Sequence, residues 1–178
     1  MALKPTIYKF DIALSDIDEG RYENLNLTVA QHPSETIERM MVRLLAYCLN
    51  LNEGLEFTTG LSNTDEPDLV QRSLDGITLN WIEVGEPSAE RLRKASTIAR
   101  QVKVYCFNTK ANVWWSQAQN EIESCGAQVY QFQWEQIAEL AGLVERTLSL
   151  SVTITGMTAF IAADSGNVEL TWAKLTDV

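Results

Sequence analysis

The sequence predicts an α+β protein with a mixed α/β core, in which helices flank a mixed sheet between an N-terminal hairpin and a C-terminal β-meander. Three observations predict this. Strand and helix patterns alternate through the middle of the chain, strand patterns alone occupy its C-terminal part, and the composition, 46% hydrophobic and 21% charged, is that of a globular protein. Because 178 residues can bury one sizeable core, we expect a single domain over residues 1–178.

Both ends of the chain carry strand patterns. Apolar residues at every second position from Tyr8 to Leu14, and again from Leu25 to Val29, predict two strands joined by a polar turn. After Gly142 the pattern predicts three strands, at 146–155, 158–163 and 168–174, separated by turn residues. We expect this meander and the hairpin to form an antiparallel patch beside the core.

A helix follows the hairpin. Ser34 is a suitable N-cap and Glu35 an acid in the first turn, where the helix dipole favours one. The helical stripe consists of Ile37, Met40, Met41, Leu44, Leu45 and Cys48.

The middle of the chain alternates between strands and helices. A short strand near 55–59 precedes an irregular acidic loop that contains Asp65, Glu66, Pro67 and Asp68. Further along, the patterns predict strands at 77–84, 102–107 and 127–133 and helices at 88–101, 112–124 and 134–142.

Charge and cysteine content narrow the function classes. The net charge of −10 repels nucleic acid and anionic membranes, so phosphate binding requires local basic residues or a metal ion. Without an apolar run of about 18 residues or a leader pattern, the sequence predicts a cytoplasmic protein that does not enter the membrane. Three dispersed cysteines and one histidine, His32, suit neither a disulfide framework nor a hydrolase triad.

Three acids are the candidate catalytic residues. Glu83 ends a strand face made of apolar residues, and a buried carboxylate requires a partner or a metal. Asp68 lies 15 residues earlier, and Asp65 and Asp75 are alternatives to it. Glu38 borders the apolar stripe of the first helix. Asp68 and Glu83 together suit Mg²⁺ or Mn²⁺, although an acidic loop exposed to solvent and a Glu83 that pairs with a basic residue remain open alternatives.

A basic segment follows the acidic strand. Six of the fourteen basic residues lie between Ser88 and Lys110, and Arg91, Arg93 and Lys94 belong to one predicted helix. A metal site beside such a helix suits a phosphodiester substrate, with Arg91 and Arg93 as substrate-binding residues. A helix face that is only solvated explains the same pattern.

The order of these motifs resembles the PD-(D/E)xK nuclease-like fold and, more closely, the bacterial YaeQ family. The resemblance extends through nearly the whole chain and rests on His32-Pro33-Ser34-Glu35-Thr36, Glu38-Arg39-Met40, Asp65-Glu66-Pro67, Trp81-Ile82-Glu83-Val84-Gly85, Arg93-Lys94-Ala95 and Trp114-Trp115. It implies a variant of the nuclease fold, and only weakly implies catalysis.

One departure from the nuclease motif bears on the mechanism. The motif's lysine follows the second acid by two residues, and here Gly85 occupies that position. The resemblance suggests Lys94 as the replacement, whereas helix geometry favours Arg91. Two hypotheses follow: a metal-dependent nuclease in which Asp68 and Glu83 are metal ligands, assisted by Glu38 and Lys94 or Arg91, or a degenerate nuclease-fold protein that binds a protein partner. The oligomeric state is left open.

Overall fold

The structure is a computed structural model that describes residues 3–59 and 63–177. In these ranges it contains both strands and helices in a mixed α+β arrangement, as the sequence predicts. None of the described helices has the length and apolar character needed to cross a membrane. The elements in chain order are β1 (Thr6–Asp16), β2 (Arg21–Gln31), α1 (Ile37–Leu49), β3 (Leu55–Phe57), β4 (Leu69–Arg72), β5 (Thr78–Val84), α2 (Ala89–Ile98), β6 (Gln101–Cys106), α3 (Ala111–Ser124), β7 (Gln128–Phe132), α4 (Trp134–Ala141), β8 (Thr147–Thr155), β9 (Thr158–Ala163) and β10 (Gly166–Lys174).

The chain divides into two compact units. The first comprises Met1–Met41 and Gln133–Trp172, and the second comprises Val42–Phe132 and Ala173–Val178. The boundary falls inside α1, so the chain leaves the first unit within a helix and returns to it after β7. The expectation of a single domain stays a prediction.

The first unit is built on strands from both ends of the chain. The predicted hairpin is confirmed, because β1 pairs antiparallel with β2 along its whole length. β8, β9 and β10 form the predicted antiparallel meander. The expected antiparallel patch is wrong at one pairing, since β1 and β8 run parallel. More than a hundred residues separate these strands in sequence, so no turn fixes their relative direction and only tertiary packing decides it.

The alternation read from the sequence determines which face of the first unit's strands is buried. Tyr8, Phe10, Ile12 and Leu14 are buried on β1, and the residues between them are exposed. The same alternation holds along most of β8. α4 contacts the strands through Gln136, whose Oε1 accepts a hydrogen bond from the Thr171 main-chain N–H at 2.8 Å.

The start of α1 differs from the prediction. The helix begins at Ile37, and Thr36 Oγ1 accepts the Arg39 main-chain N–H at 3.1 Å, so Thr36 does the capping expected of Ser34. Ser34 instead bonds His32 Nδ1 at 2.7 Å. Glu35 precedes the helix, rather than lying in its first turn, and is buried against Arg39, 2.6 Å away. Ser and Thr both favour the N-cap position by residue type, so residue type alone did not locate the start of the helix.

The second unit contains a mixed sheet in the order β7-β6-β5-β4-β3. β5, β6 and β7 run parallel, and β3, β4 and β5 are antiparallel. The sequence analysis missed β4, a four-residue strand beside the acidic loop, because a segment so short carries no clear periodicity. α2 and α3 cover one face of this sheet around a core of Trp81, Leu92, Ala95, Ala99, Val102, Val104, Cys106, Ala111, Ile122, Ala127 and Val129.

The cysteines yield a testable prediction about accessibility. Burial raises the pKa of Cys48 and of Cys106 to about 12, whereas Cys125 is only half-buried. Because the thiolate is the reactive form, we expect a disulfide reagent at pH 8 to modify one thiol in the folded protein and three in denaturant. Cys125→Ser should remove the single native equivalent, and rapid modification of that variant would contradict the assignment.

Candidate acidic site at the end of β5

Glu83 is a buried carboxylate held by two donors. The side chains of Trp81 and Glu83 share one face of β5 because residues two apart on a strand point the same way. Glu83 Oε1 accepts hydrogen bonds from Trp81 Nε1 and from Arg91 Nε, each at 2.7 Å. The residue is 5% exposed. One oxygen therefore receives both an indole and a guanidinium donor.

Asp68 lies at the same end of the sheet, just before β4. Its main-chain N–H donates to the Ile82 carbonyl at 3.0 Å, which extends the antiparallel pairing of β4 with β5 by one residue. Its side-chain Oδ2 accepts the Val84 main-chain N–H at 2.8 Å, and the residue is 4% exposed. Strand pairing thus brings Asp68 close enough to Glu83 for its charge to act on that carboxylate.

The charges of these groups are coupled. Burial raises the pKa of Glu83, and the negative charge of Asp68 raises it further. The hydrogen bond from Trp81 and the positive charge of Arg91 oppose that rise. Asp68 is thus close enough to Glu83 for their like charges to repel, and Arg91 partly offsets that repulsion at Glu83.

Arg91 also holds the acidic loop. Its Nη2 donates to the Glu66 carbonyl at 2.6 Å, and its Nη1 donates to the Thr64 carbonyl. Ser88 caps α2 by accepting the Arg91 main-chain N–H at 3.2 Å, which fixes where the side chain departs. Glu83 and the loop therefore engage all three guanidinium nitrogens, and Glu83 pairs with a basic residue, which was one of the alternatives left open by the sequence.

The other basic candidates lie elsewhere on α2. Lys94 is 76% exposed at its side chain and forms a 3.4 Å pair with Glu90 on the same helix. Arg93 reaches Glu121 of α3 at 3.3 Å, also at the surface. The cation beside Glu83 is therefore Arg91, the candidate that helix geometry favoured, and Lys94 pairs with Glu90 instead.

The remaining acids are not part of the pair. Asp65 and Asp75 are exposed, so among the three acids weighed as partners of Glu83 only Asp68 is buried. Glu38 lies half-buried in the first turn of α1, within the first unit. Across residues 3–59 and 63–177, no group of three or more His, Cys, Asp or Glu side chains is arranged to hold a metal ion.

Gly85 lies where the resemblance would place a lysine, and its backbone conformation favours glycine. Gly85 has a φ of +106°, a conformation that residues with a side chain rarely adopt. Its N–H donates to the Tyr105 carbonyl at 2.9 Å. The strand ends at Val84, so the rule that places residues two apart on one face does not extend to this position. A lysine here would strain the backbone.

Sequence reasoning missed the hydrogen bond from Trp81. The i, i+2 spacing of Trp81 and Glu83 on a strand was a usable signal, because a buried indole N–H requires an acceptor. No sequence pattern predicts the hydrogen bonds from Arg91 to the Thr64 and Glu66 carbonyls, because they depend on the conformation of the loop at 63–66.

Fold and site together define a class: an α+β protein with two buried acids at the end of a central strand, one of which, Glu83, is paired with Arg91. The chain belongs to the YaeQ family, whose sequence model, described as YaeQ protein, matches residues 1–172. It is 39% identical over 173 residues to the YaeQ protein of Escherichia coli (strain K12), covering 96% of this chain and 95% of that protein. The relative from Salmonella typhi is 40% identical with the same coverage.

Solved structures agree with this assignment. The crystal structure of YaeQ from Xanthomonas axonopodis pv. citri superposes with a TM-score of 0.92 at 37% identity, covering 97% of this chain and 98% of that one. YaeQ from Pseudomonas syringae gives a TM-score of 0.92 at 38% identity, covering 98% and 97%. The expected membership in the YaeQ family is confirmed.

Proposed function

We propose that the protein is a divalent-metal-dependent phosphodiesterase with a variant PD-(D/E)xK core, in which Asp68 and Glu83 bind Mg²⁺ or Mn²⁺. The observation that carries the proposal is the burial of these two interacting carboxylates side by side at one end of β5. Like charges are not brought together in a protein interior without compensation. A cation bound by both acids would add to the compensation that Arg91 gives Glu83.

The surrounding fold supports a nuclease-like core. β5 carries Glu83 and lies between antiparallel β4 and parallel β6, with α2 packed on the same face as Glu83. This is a mixed sheet flanked by helices, which is the setting that the nuclease motif requires.

The donor set suits a hard cation. Carboxylate oxygens are the ligands that Mg²⁺ and Mn²⁺ prefer, and one or two carboxylates with water and substrate phosphate complete such sites. Glu83 Oε1 is occupied by Trp81 and Arg91, so Glu83 would bind the cation through Oε2. The bound ion would activate water and stabilise charge on the phosphate.

The side chain of Arg91 has a defined role in the proposed reaction. Arg91 is beside Glu83, and its guanidinium, which stays charged, can stabilise negative charge that develops on a phosphate. It cannot serve as a general base, so water activation depends on the metal. The roles predicted for Glu38, Arg93 and Lys94 stay predictions.

Metal binding is the first test, because it needs no knowledge of the substrate. We expect calorimetric titration of Mn²⁺ to detect binding by the wild-type protein. Glu83→Gln and Asp68→Asn should each lower the Mn²⁺ affinity by more than about 100-fold, because losing a residue that only supports a metal ligand already lowers it by about 10- to 100-fold. Asp75→Asn, at an exposed acid, is the matched control. Equal binding by all four proteins would refute the assignment.

Cleavage is the second test. Single- and double-stranded DNA and RNA are incubated with the protein in Mn²⁺ and in a chelator. We expect cleavage that depends on Mn²⁺, persists in Asp75→Asn and is lost in Glu83→Gln. No cleavage of any substrate, together with measurable Mn²⁺ binding, would retain the metal site and reject the nuclease.

A second candidate function is a degenerate nuclease-fold protein that binds a protein partner. The engagement of all three Arg91 nitrogens favours it, because that contact satisfies Glu83 without a metal. The net charge of −10 also disfavours a nucleic-acid substrate. A protein partner that the wild type and Glu83→Gln capture from cell extract in equal, stoichiometric amounts would support this second function. Nucleic acid that is captured with the protein and released by high salt would support the nuclease.

A further inference from the structure

A second cluster of polar side chains lies on the opposite face of the second unit's sheet. Val104 and Val129, paired in register on β6 and β7, belong to the core beneath α2 and α3. Their neighbours Lys103 and Gln128, also paired in register, therefore point to the other face. Glu83 lies opposite Val104 and shares its face, so this cluster is distinct from the acidic site.

Lys174 joins the cluster from the C-terminal segment. The Leu175 N–H donates to the Val129 carbonyl at 2.8 Å, and the Leu175 side chain packs against the core on the α2 face. Because side chains alternate along an extended chain, Lys174 points to the same face as Lys103 and Gln128. Burial lowers the pKa of the Lys103 ammonium most, and the charge of Lys174 lowers it further.

Asn50 and Tyr105 fix one side of the cluster. Asn50 Nδ2 donates to the Ala46 carbonyl at 2.7 Å and to the Tyr105 hydroxyl oxygen at 2.8 Å. Since the Ala46 carbonyl can only accept, the amide cannot be reversed, and its Oδ1 accepts from Lys103 Nζ at 2.8 Å. Tyr105 is 4% exposed, and burial raises its pKa, so its hydroxyl keeps its proton.

The cluster offers more donors than acceptors. Lys103 donates one of its three N–H groups to Asn50, so two remain. The side-chain oxygen of Gln128 accepts a hydrogen bond from the Tyr130 hydroxyl at 3.4 Å, and the N–H₂ group of the same amide remains available as a donor. In the described part of the chain, neither Lys103 nor Lys174 pairs with a carboxylate. Two adjacent cations without an acid are unexpected in a protein of charge −10.

We propose that Lys103, Lys174 and Gln128 form a binding site for a phosphate group, either inorganic phosphate or a phosphomonoester. A dianion matches the two ammonium charges, and its oxygens accept the donors that the protein leaves without a partner. The site does not depend on the proposed metal-dependent activity, because it uses no residue of the acidic pair.

Calorimetric titration of inorganic phosphate tests the proposal. We expect saturable binding by the wild type and binding at least about tenfold weaker in Lys174→Gln, as the loss of one charged hydrogen bond predicts. Lys174 is exposed, so its variant should fold. Lys110→Gln removes the same charge from another exposed position of this unit and should bind as the wild type does.

A second arm of the experiment distinguishes the source of the phosphate. Glycerol phosphate bound as tightly as the inorganic ion, with the same loss in Lys174→Gln, identifies a phosphomonoester ligand. Binding of inorganic phosphate alone identifies the free ion. Absence of binding by the wild type, or equal affinities in the wild type, Lys174→Gln and Lys110→Gln, would overturn the site.

Discussion

Arg91→Met should lower the free energy of unfolding by about 3 kcal/mol, the lower end of the range for removing one partner from a buried ion pair. The guanidinium is the counter-ion of Glu83, a side chain only 7% exposed, and it also bonds two loop carbonyls. The lower end of this range applies because the Arg91 side chain is 30% exposed, so water screens part of its interaction with Glu83. Urea unfolding followed by tryptophan fluorescence measures the change.

Two further variants isolate the cause. Lys94→Met, on the exposed side of the same helix, removes an equal charge and should change stability by no more than about 0.5 kcal/mol. Glu83→Gln combined with Arg91→Met should recover part of the loss, because no unpaired buried charge remains. An Arg91→Met change as small as that of Lys94→Met would mean that the ion pair does not stabilise the protein.

Gly54→Ala should lower the free energy of unfolding by about 2–5 kcal/mol, the sum of a left-handed backbone penalty and an overpacking penalty. Gly54 has a φ of +82°, and a Cβ built there would lie 2.1 Å from the Arg72 carbonyl oxygen. The atom it would meet is backbone, and the Arg72 N–H is bonded to the Gly54 carbonyl, so neither chain can move without losing that contact.

Gly76→Ala is the matched control. Gly76 has a φ of +83°, and nothing lies within 4 Å of a Cβ built there. It should lose only the backbone penalty of about 1–2 kcal/mol. The difference between the two variants therefore measures the close approach of Gly54 to β4, and equal losses would mean that the loop moves aside to accommodate the methyl group.

The sequence by itself determined most elements of this fold. Strand alternation from Tyr8 to Leu14 and the helical stripe from Ile37 to Cys48 are local periodicities, and the structure contains the hairpin and the helix where they predicted them. Local information also singled out Glu83, because a carboxylate on a strand face of apolar residues requires a partner or a metal, whereas it left Asp65, Asp68 and Asp75 as alternatives for the second acid.

Only the tertiary structure decided what depends on distant segments. The parallel pairing of β1 with β8 joins residues more than a hundred positions apart, the positive φ of Gly85 suits glycine better than a residue with a side chain, and the partner of Glu83 follows from where Ser88 starts α2. The phosphate-site candidates Lys103 and Lys174 come together through strand packing alone. The hydrophobic periodicity of the sequence predicts which side of a helix or strand is buried. The direction and register of strand pairing, and the pairing of charged side chains, are decided only when the elements pack together.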